Sequence, residues 1–243
     1  MRTDSVLIWI LAGGLSSRMG RDKSRLRLGR ATVLNHIKAM ARECSPNVRV
    51  IRKDAVPRCG PLGGIYTGME AAARSGVRAL PGSAARAEGR ALPQRVMANA
   101  ARSGVRALPP RNERRPPAHL FLACDMPFVS ARLIRKLIRL YERDKRPIFC
   151  AFEGKAGFPC ILPSELWPKI QNQIAKEEYS LQALARAVQA QLYRPTRNEI
   201  SQLLNLNTPD DWARAIRLWQ RKSKPSTLAK KGSGVACKSL RSS

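Results

Sequence analysis

The sequence contains few of the side chains that most covalent and metal-dependent catalytic sites use. It has two histidines and 5% aromatic residues, and its six cysteines include no C-x-x-C pair. A zinc site, a Ser-His-Asp triad and a Cys-His pair are therefore not indicated, and reduced thiols in a cytoplasmic protein are expected. No apolar run reaches the ~18 residues that a membrane-spanning helix needs, so no membrane partner is expected.

The charge of the chain is strongly one-sided, with 45 Lys and Arg, 17 Asp and Glu, and a net charge of +28. More than half of this excess lies in residues 74–117 (net +8) and 221–243 (net +7). Such segments typically make weak, salt-sensitive contacts with polyanions. Proteins that bind single-stranded nucleic acid stack bases on aromatic rings, which are scarce here, so no specific nucleic-acid partner is expected.

Residues 74–117 also differ from the rest of the chain because they carry a repeat. The string A-A-R-S-G-V-R-A-L-P occurs at Ala72–Pro81 and Ala100–Pro109, with a decayed copy at Ala85–Pro93. Each copy contains Gly, ends in Pro and has few apolar anchors, so it cannot offset the entropy cost of ordering its backbone. We expect a flexible insertion within one domain at 1–220, followed by a disordered basic tail at 221–243.

A glycine-rich segment, Leu11–Lys23 (L-A-G-G-L-S-S-R-M-G-R-D-K), follows the apolar run Ser5–Ile10, which predicts a buried strand. Its glycines expose backbone N–H groups to a ligand, and Arg18 and Lys23 add two cations. This combination predicts a polyphosphate cradle. The Gly-Lys-Ser/Thr end of a Walker loop and the dinucleotide fingerprint G-x-G-x-x-G are both absent. For the Gly-Gly pair alone, an ordinary strand-to-helix turn is the alternative interpretation.

The apolar patterns elsewhere alternate between strands and helices, which predicts an α/β fold with a mostly parallel twisted sheet flanked by helices. Strands are predicted at 47–52, 119–123, 148–152 and 191–193, and a loop at Gly157–Leu162 leads into another strand. Helices are predicted at 32–42, from residue 60, and at 130–144, 163–176, 180–188 and 209–220, the last of which buries Trp212, Ile216 and Trp219.

Two carboxylates, Asp54 and Asp125, each follow a predicted strand. Ligands in open α/β sheets gather at the carboxyl ends of strands, so both residues are candidates for contact with a nucleotide. A turn or capping role is the alternative for Asp54. Asp125 suits a Mg²⁺ ligand, because a carboxylate beside a polyphosphate is repulsive unless a cation lies between them.

Four motifs in this order resemble those of the molybdenum cofactor guanylyltransferases. They are the L-A-G-G-x-S-x-R-M-G-x-D-K pattern at 11–23, Asp54 with Gly60–Gly64 (G-P-L-G-G), Cys124–Pro127 (C-D-M-P) and Asn205–Pro209 (N-L-N-T-P). The resemblance implies a single-domain Rossmann-like nucleotidyltransferase fold over 1–220, interrupted by 74–117. It also implies transfer of GMP from GTP to the terminal phosphate of molybdopterin cofactor, with release of pyrophosphate and with Mg²⁺ as cofactor.

The resemblance assigns roles to individual residues. Catalysis falls to Arg18, Lys23 and Asp125, and the metal to Asp125. The residues assigned to the nucleotide are Leu11, Ala12, Gly13, Gly14, Lys23, Asp54 and Asp125, and those assigned to the pterin substrate are Gly60, Gly63, Asn205 and Asn207. GTP and the molybdopterin-type cofactor are the implied substrates, and a cytoplasmic monomer in transient contact with molybdopterin-handling or molybdoenzyme proteins is expected.

Two alternative functions stay open. One is transfer of another nucleotide, as in a CTP-dependent molybdopterin cytidylyltransferase, although relatives of that kind carry L-A-A-G where this chain has Leu11–Gly14. The other is catalytically silent binding of a nucleotide or RNA, which the basic charge suggests. The chain also departs from the family between Glu43 and Asn47, where a further strand and helix with a base-contacting residue are usual.

Overall fold

A six-stranded sheet forms the centre of the computed structural model, which describes residues 6–13, 26–75 and 118–223. The strands in chain order are β1 (Val6–Leu11), β2 (Arg27–Leu28), β3 (Ala31–Thr32), β4 (Val48–Ile51), β5 (Ala118–Ala123), β6 (Ile148–Phe152), β7 (Lys155–Pro163) and β8 (Gln191–Tyr193). The sheet order is β4-β1-β5-β7-β6-β8, in which β7 is antiparallel to its neighbours and the other pairs are parallel. The predicted mostly parallel sheet is confirmed, whereas the small hairpin of β2 and β3 was not predicted.

Helices cover both faces of this sheet. They are α1 (Val33–Cys44), α2 (Gly60–Ser75), α3 (Ala131–Asp144), α4 (Trp167–Ala175), α5 (Leu181–Ala187), α6 (Arg197–Ile200) and α7 (Pro209–Ser223), with 3₁₀ turns at Ser164–Leu166 and Ser201–Leu203. Hydroxyl groups cap three of these helices, because those of Thr32, Ser130 and Ser180 accept backbone N–H bonds from the first turns of α1, α3 and α5. No described helix has both the length and the apolar character that crossing a membrane requires.

Successive side chains of β1 point to opposite faces of the sheet, which explains why helices pack on both faces. Val6, Ile8 and Ile10 point into a core shared with α1, α3 and α7, while Leu7, Trp9 and Leu11 point into a second core shared with α2, α4 and α5. All six side chains are buried. Because burial of one large apolar side chain stabilises the fold by roughly 1.5–3 kcal/mol, this strand fixes the sheet between its two helix layers.

The first helix leads into β4 almost directly. Residues 45–47 between α1 and β4 form neither helix nor strand. The buried hydroxyl of Ser45 donates to the Val6 carbonyl (2.9 Å) and accepts from the Asn47 amide (3.1 Å), which holds this short connection against the sheet. No helix or strand therefore lies between α1 and β4, whose residues are all described, and β4 pairs directly with β1 at the edge of the described sheet.

The largest error in the predicted secondary structure concerns Gly157–Leu162. The structure makes this segment part of β7, because Cys160, Ile161 and Leu162 pair with β5 in the middle of the sheet. Gly and Pro suggested a loop, but Pro159 lies where the β6–β7 register shifts and needs no ladder N–H bond there. Pairing on both sides of β7 outweighs the local preference of these residues.

Smaller differences occur at helix ends. The helix predicted at 163–176 begins with a 3₁₀ turn, so α4 starts only at Trp167. The last helix continues to Ser223, three residues beyond the predicted end at 220. Its three predicted core residues are only half-buried, and Ala215 is the fully buried contact instead. The insertion beyond Ser75 and the tail beyond Ser223 lie outside the described residues, so their predicted flexibility stays a prediction.

Candidate functional site

Three strands end side by side at one edge of the sheet. Leu11 is paired with Ile51 of β4 and with Ala123 of β5. The pairing continues past the strand ends, because the Ala12 amide donates to the Ile51 carbonyl (2.7 Å) and the Cys124 amide donates to the Leu11 carbonyl (3.0 Å). The segments that carry Gly13, Asp54 and Asp125 therefore leave the sheet next to one another, as the sequence predicted.

The carboxylate of Asp54 is enclosed by two glycines. A Cβ atom built on Gly13 would lie 3.4 Å from Asp54 Oδ1 and 3.1 Å from the carbonyl oxygen of Arg52. A Cβ atom built on Gly63 would lie 3.4 Å from Asp54 Oδ2 and 3.0 Å from the Val56 carbonyl oxygen. Side chains at either position would crowd these backbone groups. The glycines therefore permit the segment after β1 and the helix α2 to approach Asp54 closely.

This enclosure changes the acidity of Asp54. Removal from water disfavours the carboxylate form, so burial raises the pKa of Asp54 above its usual value. Donors from a bound ligand would stabilise the carboxylate again. The ligand-binding role of Asp54 stays a prediction; the residue is half-buried and lies six positions before Gly60, the first residue of α2.

The other glycine assigned to the pterin, Gly60, has a different environment. It begins α2 with a φ of +54°, in the left-handed region that favours glycine, and a Cβ atom there would meet nothing within 4 Å. Gly60 thus serves the turn into the helix, whereas Gly63 contacts the predicted nucleotide residue Asp54. The motif that the sequence assigns to the pterin therefore borders Asp54, which the sequence assigns to the nucleotide.

Asp125 is joined to the N-L-N-T-P motif through the backbone. Its carbonyl oxygen accepts a hydrogen bond from the Leu206 amide (2.9 Å). The Leu206 side chain is fully buried, whereas Asn205 and Asn207 on either side of it are exposed. One buried leucine thus anchors a segment that presents two asparagines beside the end of β5, and the structure brings together two motifs that are 80 residues apart in the chain.

The turn after these asparagines is organised by Asp211. Its Oδ2 accepts from the backbone amides of Asn207 (3.0 Å) and Thr208 (2.9 Å), while Thr208 Oγ1 accepts from the Asp211 amide (3.1 Å). Burial acts to raise the pKa of Asp211, but the hydrogen bonds from Thr208 and Asn207 outweigh it and lower that pKa. Thr208 thus caps the start of α7, and Asp211 is an additional residue that the sequence analysis did not identify.

A second group that the sequence analysis missed ties residues 193–203 to α3. Gln202 Oε1 accepts from the Ser130 amide (3.1 Å) and from the Ser130 hydroxyl (2.7 Å). Glu199 accepts from the Tyr193 hydroxyl (2.6 Å), the Thr196 amide (2.9 Å) and Lys136 Nζ (3.1 Å). The T-R-N-E pattern at 196–199 is a capping-box signature that could have located Glu199, whereas no local pattern marks Gln202.

The network around Glu199 is stable in its charged form. Burial acts to raise the pKa of Glu199, but the hydrogen bonds from Tyr193, Thr196 and Lys136 outweigh it and lower that pKa to about 2. Lys136 Nζ also lies 5.0 Å from the centre of the Tyr193 ring. Together with Gln202, this network fixes the chain that leads from β8 toward Asn205.

The donor set fits Mg²⁺ bound jointly by the protein and a polyphosphate. Among residues 6–13, 26–75 and 118–223, no group of three or more His, Cys, Asp or Glu side chains could hold a metal ion. Mg²⁺ in nucleotide sites is usually held by one or two carboxylates plus phosphate oxygens, and Asp125 supplies one such carboxylate, half-buried at the end of β5. The predicted residues Gly14, Arg18 and Lys23 lie outside the described residues.

Comparison with known proteins identifies relatives over most of the chain. Residues 8–194 match the sequence model of a family described as the MobA-like NTP transferase domain. The chain is 26% identical over 227 residues to a molybdenum cofactor guanylyltransferase of Rhizobium leguminosarum bv. trifolii, covering 86% of this chain and 90% of that protein. It is 38% identical over 199 residues to a probable molybdenum cofactor guanylyltransferase of Mycobacterium tuberculosis, covering 74% of this chain and 79% of that protein.

The fold also matches solved structures. A molybdopterin-guanine dinucleotide biosynthesis protein A from Archaeoglobus fulgidus superposes with a TM-score of 0.54 at 14% identity, covering 88% of this chain and 98% of that one. At this identity the similarity concerns the fold alone. The nucleotidyltransferase fold predicted from the sequence motifs is confirmed.

Proposed function

The chain belongs to the MobA-like NTP transferase family, and we propose that it transfers GMP from GTP to the terminal phosphate of a molybdopterin-type cofactor. The observation that most supports this proposal is the convergence at one sheet edge of Gly13, Asp54, Asp125 and the segment Asn205–Asn207. Relatives named molybdenum cofactor guanylyltransferase support the choice of substrates.

The proposed reaction is a displacement at phosphorus. A terminal phosphate oxygen of the pterin forms a bond to the α-phosphorus of GTP, and the bond from that phosphorus to the bridging oxygen breaks. Pyrophosphate leaves with the electron pair, and the product is the guanine dinucleotide form of the cofactor. No protein nucleophile takes part, so catalysis consists of positioning and charge stabilisation.

The residues around β1 are proposed to hold the triphosphate and the nucleoside. Backbone groups of residues 11–14 would bind the nucleotide, while Arg18 and Lys23 would supply positive charge to the triphosphate. Asp54 would accept hydrogen bonds from the nucleoside, because an enclosed carboxylate next to the loop entrance gains stability from donors. These assignments combine the sequence motifs with the contacts of Gly13 and Asp54.

Asp125 is proposed to hold Mg²⁺ beside the phosphates. When bound there, the cation would neutralise charge that develops on the phosphate oxygens. The Leu206 amide bonded to the Asp125 carbonyl would keep the carboxylate segment in place at the end of β5. The exposed side chains of Asn205 and Asn207 would contact the pterin substrate, together with Gly60 and Gly63 that the motif resemblance assigns to it.

The contacts of Gly13 argue against the cytidylyltransferase alternative. Relatives that use CTP carry L-A-A-G, which would place an alanine at position 13. In this chain a Cβ atom at that position would lie 3.1 Å from the Arg52 carbonyl oxygen, so the backbone after β4 would have to move. The close approach of β4 to the loop therefore suits the glycine of the guanylyltransferase pattern.

A turnover assay with each nucleoside triphosphate in turn tests the proposal. The purified chain is incubated with molybdopterin cofactor, Mg²⁺ and GTP, CTP or ATP, and pyrophosphate and the dinucleotide product are measured. We expect product with GTP and little with CTP. A preference for CTP would refute the guanine assignment, and nucleotide binding without pyrophosphate release in any mixture would favour the silent-binding alternative.

A further inference from the structure

The strand that leads to Asp54 is paired on one side only within the described sheet. This strand is β4, which pairs with β1 and has no other partner strand among the described residues. Residues 52, 53, 55, 57 and 58 in the segment after it are exposed. The sheet therefore cannot by itself fix where the Asp54 carboxylate lies, and contacts with α2 must do so.

Thr67 of α2 supplies such a contact. Its Oγ1 accepts a hydrogen bond from the Ala55 amide (2.8 Å), and its hydroxyl donates to the Gly63 carbonyl (2.7 Å). Ala55 is the residue after Asp54, and Gly63 is the glycine against Asp54 Oδ2. One hydroxyl thus joins the chain just after the carboxylate to the helix turn that encloses it.

The bond from the Thr67 hydroxyl to the Gly63 carbonyl is of a common kind, whereas the bond from the Ala55 amide to Thr67 is not. Ser and Thr hydroxyls in helices often donate to the carbonyl four residues earlier, and this bond serves no site by itself. The bond from Ala55 is different because it spans 12 residues and its donor is a loop amide beyond the end of β4, which reaches the Thr67 hydroxyl on α2. Without the bond to Thr67, the Ala55 amide would hydrogen-bond to water, and the loop that carries Asp54 would gain conformational freedom.

We propose that Thr67 is a positioning residue for nucleotide binding, whose hydroxyl holds the Asp54 carboxylate between Gly13 and Gly63. This inference rests on the proposed function, because it takes Asp54 to contact the bound GTP. Thr67 itself touches neither reacting atoms nor metal. It acts by keeping the loop ordered before the ligand arrives, which lowers the entropy cost of binding.

Binding of GTP to the full chain tests this role directly. The dissociation constant is measured by titration calorimetry for wild type, Thr67→Val and Thr67→Ser. Valine keeps the branched shape and removes the hydroxyl, whereas serine keeps the hydroxyl. We expect Thr67→Val to weaken GTP binding by about tenfold and Thr67→Ser to stay within about twofold of wild type. In turnover, Thr67→Val should raise KM for GTP and leave kcat nearly unchanged.

Thr32→Val is the matched control. Thr32 Oγ1 also accepts one backbone amide, that of Asn35 (3.2 Å), but at the start of α1. Thermal unfolding of both valine variants gives their loss of stability, and Thr32→Val should leave GTP affinity unchanged. Equal weakening by Thr32→Val, equal loss in Thr67→Ser, or wild-type affinity in Thr67→Val would each overturn the inference. If wild type binds no GTP, the proposed function itself fails, and the inference fails with it.

Discussion

Lowering the pH from 7 to 5 should destabilise this protein through a single buried histidine. His119 on β5 is 2% exposed, and its Nδ1 accepts from Trp9 Nε1 (3.1 Å). Because the indole can only donate, the imidazole proton is on Nε2, which donates to Ser164 Oγ (3.0 Å). Burial, with a smaller effect of the nearby Arg49, lowers the pKa of His119 to about 4. The native state therefore keeps this imidazole neutral.

The size of the effect follows from the difference between folded and unfolded states. An unfolded histidine has the ordinary pKa of 6.5, so between pH 6.5 and 4 the unfolded chain binds one proton that the native state does not. The free energy of unfolding consequently falls as the pH falls, by about 2 kcal/mol between pH 7 and pH 5. Carboxylates whose pKa is lowered, such as Glu199 and Asp211, lose their contribution mainly below pH ~4.5.

Urea unfolding followed by circular dichroism at several pH values measures this effect. His119→Gln is the matched variant, because an amide can accept from Trp9 and donate to Ser164 but cannot titrate in this range. We expect the variant to show a much flatter dependence of the unfolding free energy on pH between 7 and 5. If the wild type loses no stability in that interval, or if His119→Gln keeps the full slope, the assignment of the effect to His119 is wrong.

The remaining predictions concern activity and the insertion. Lys23→Ala should lose most kcat/KM while its thermal unfolding stays unchanged, since Lys acts as a point charge on the triphosphate; near-wild-type kcat/KM would exclude Lys23 from the cradle. Deletion of residues 76–115 should change the unfolding free energy by less than about 1 kcal/mol, and loss of cooperative folding would show that the insertion is structural. Asp125→Asn should lower kcat at least about 10²-fold and leave GTP binding without metal intact. Equal pyrophosphate release by wild type in excess EDTA would contradict the metal role of Asp125.

The arrangement of the site could be predicted because its residues follow recognisable strands. Asp54 lies just past the alternating strand at 47–52 and Asp125 follows the apolar strand at 119–123, and parallel strands place their carboxyl ends at one edge. The family resemblance then added the order of the motifs. The structure supplies what spacing could not, which is that Gly13 and Gly63 lie against the same carboxylate.

Contacts between distant parts of the chain could not be predicted. The bond from Trp9 to His119 spans 110 residues, and those from Ser130 to Gln202 span 72. Neither has a periodic or local signature, so the sequence gives no reason to pair these residues. The same holds for β7, whose Gly and Pro predict a loop until β5 and β6 provide partners on both sides.

The short connection between α1 and β4 has a consequence for base selection. The resemblance to the guanylyltransferases implies a base-contacting residue on a further strand between α1 and β4, but residues 45–47 form no strand there and β4 itself lies next to β1. The first carboxylate after that strand is Asp54, enclosed beside the loop entrance. A carboxylate can accept two hydrogen bonds from the ring N–H and amino group of guanine, whereas the matching edge of cytosine offers one amino donor beside two acceptors. Selection for guanine would then depend on the position of the loop that carries Asp54. The hydrogen bond from Ala55 to Thr67 of α2 would therefore contribute to base selection, because no further strand beside β4 in the described sheet holds this loop.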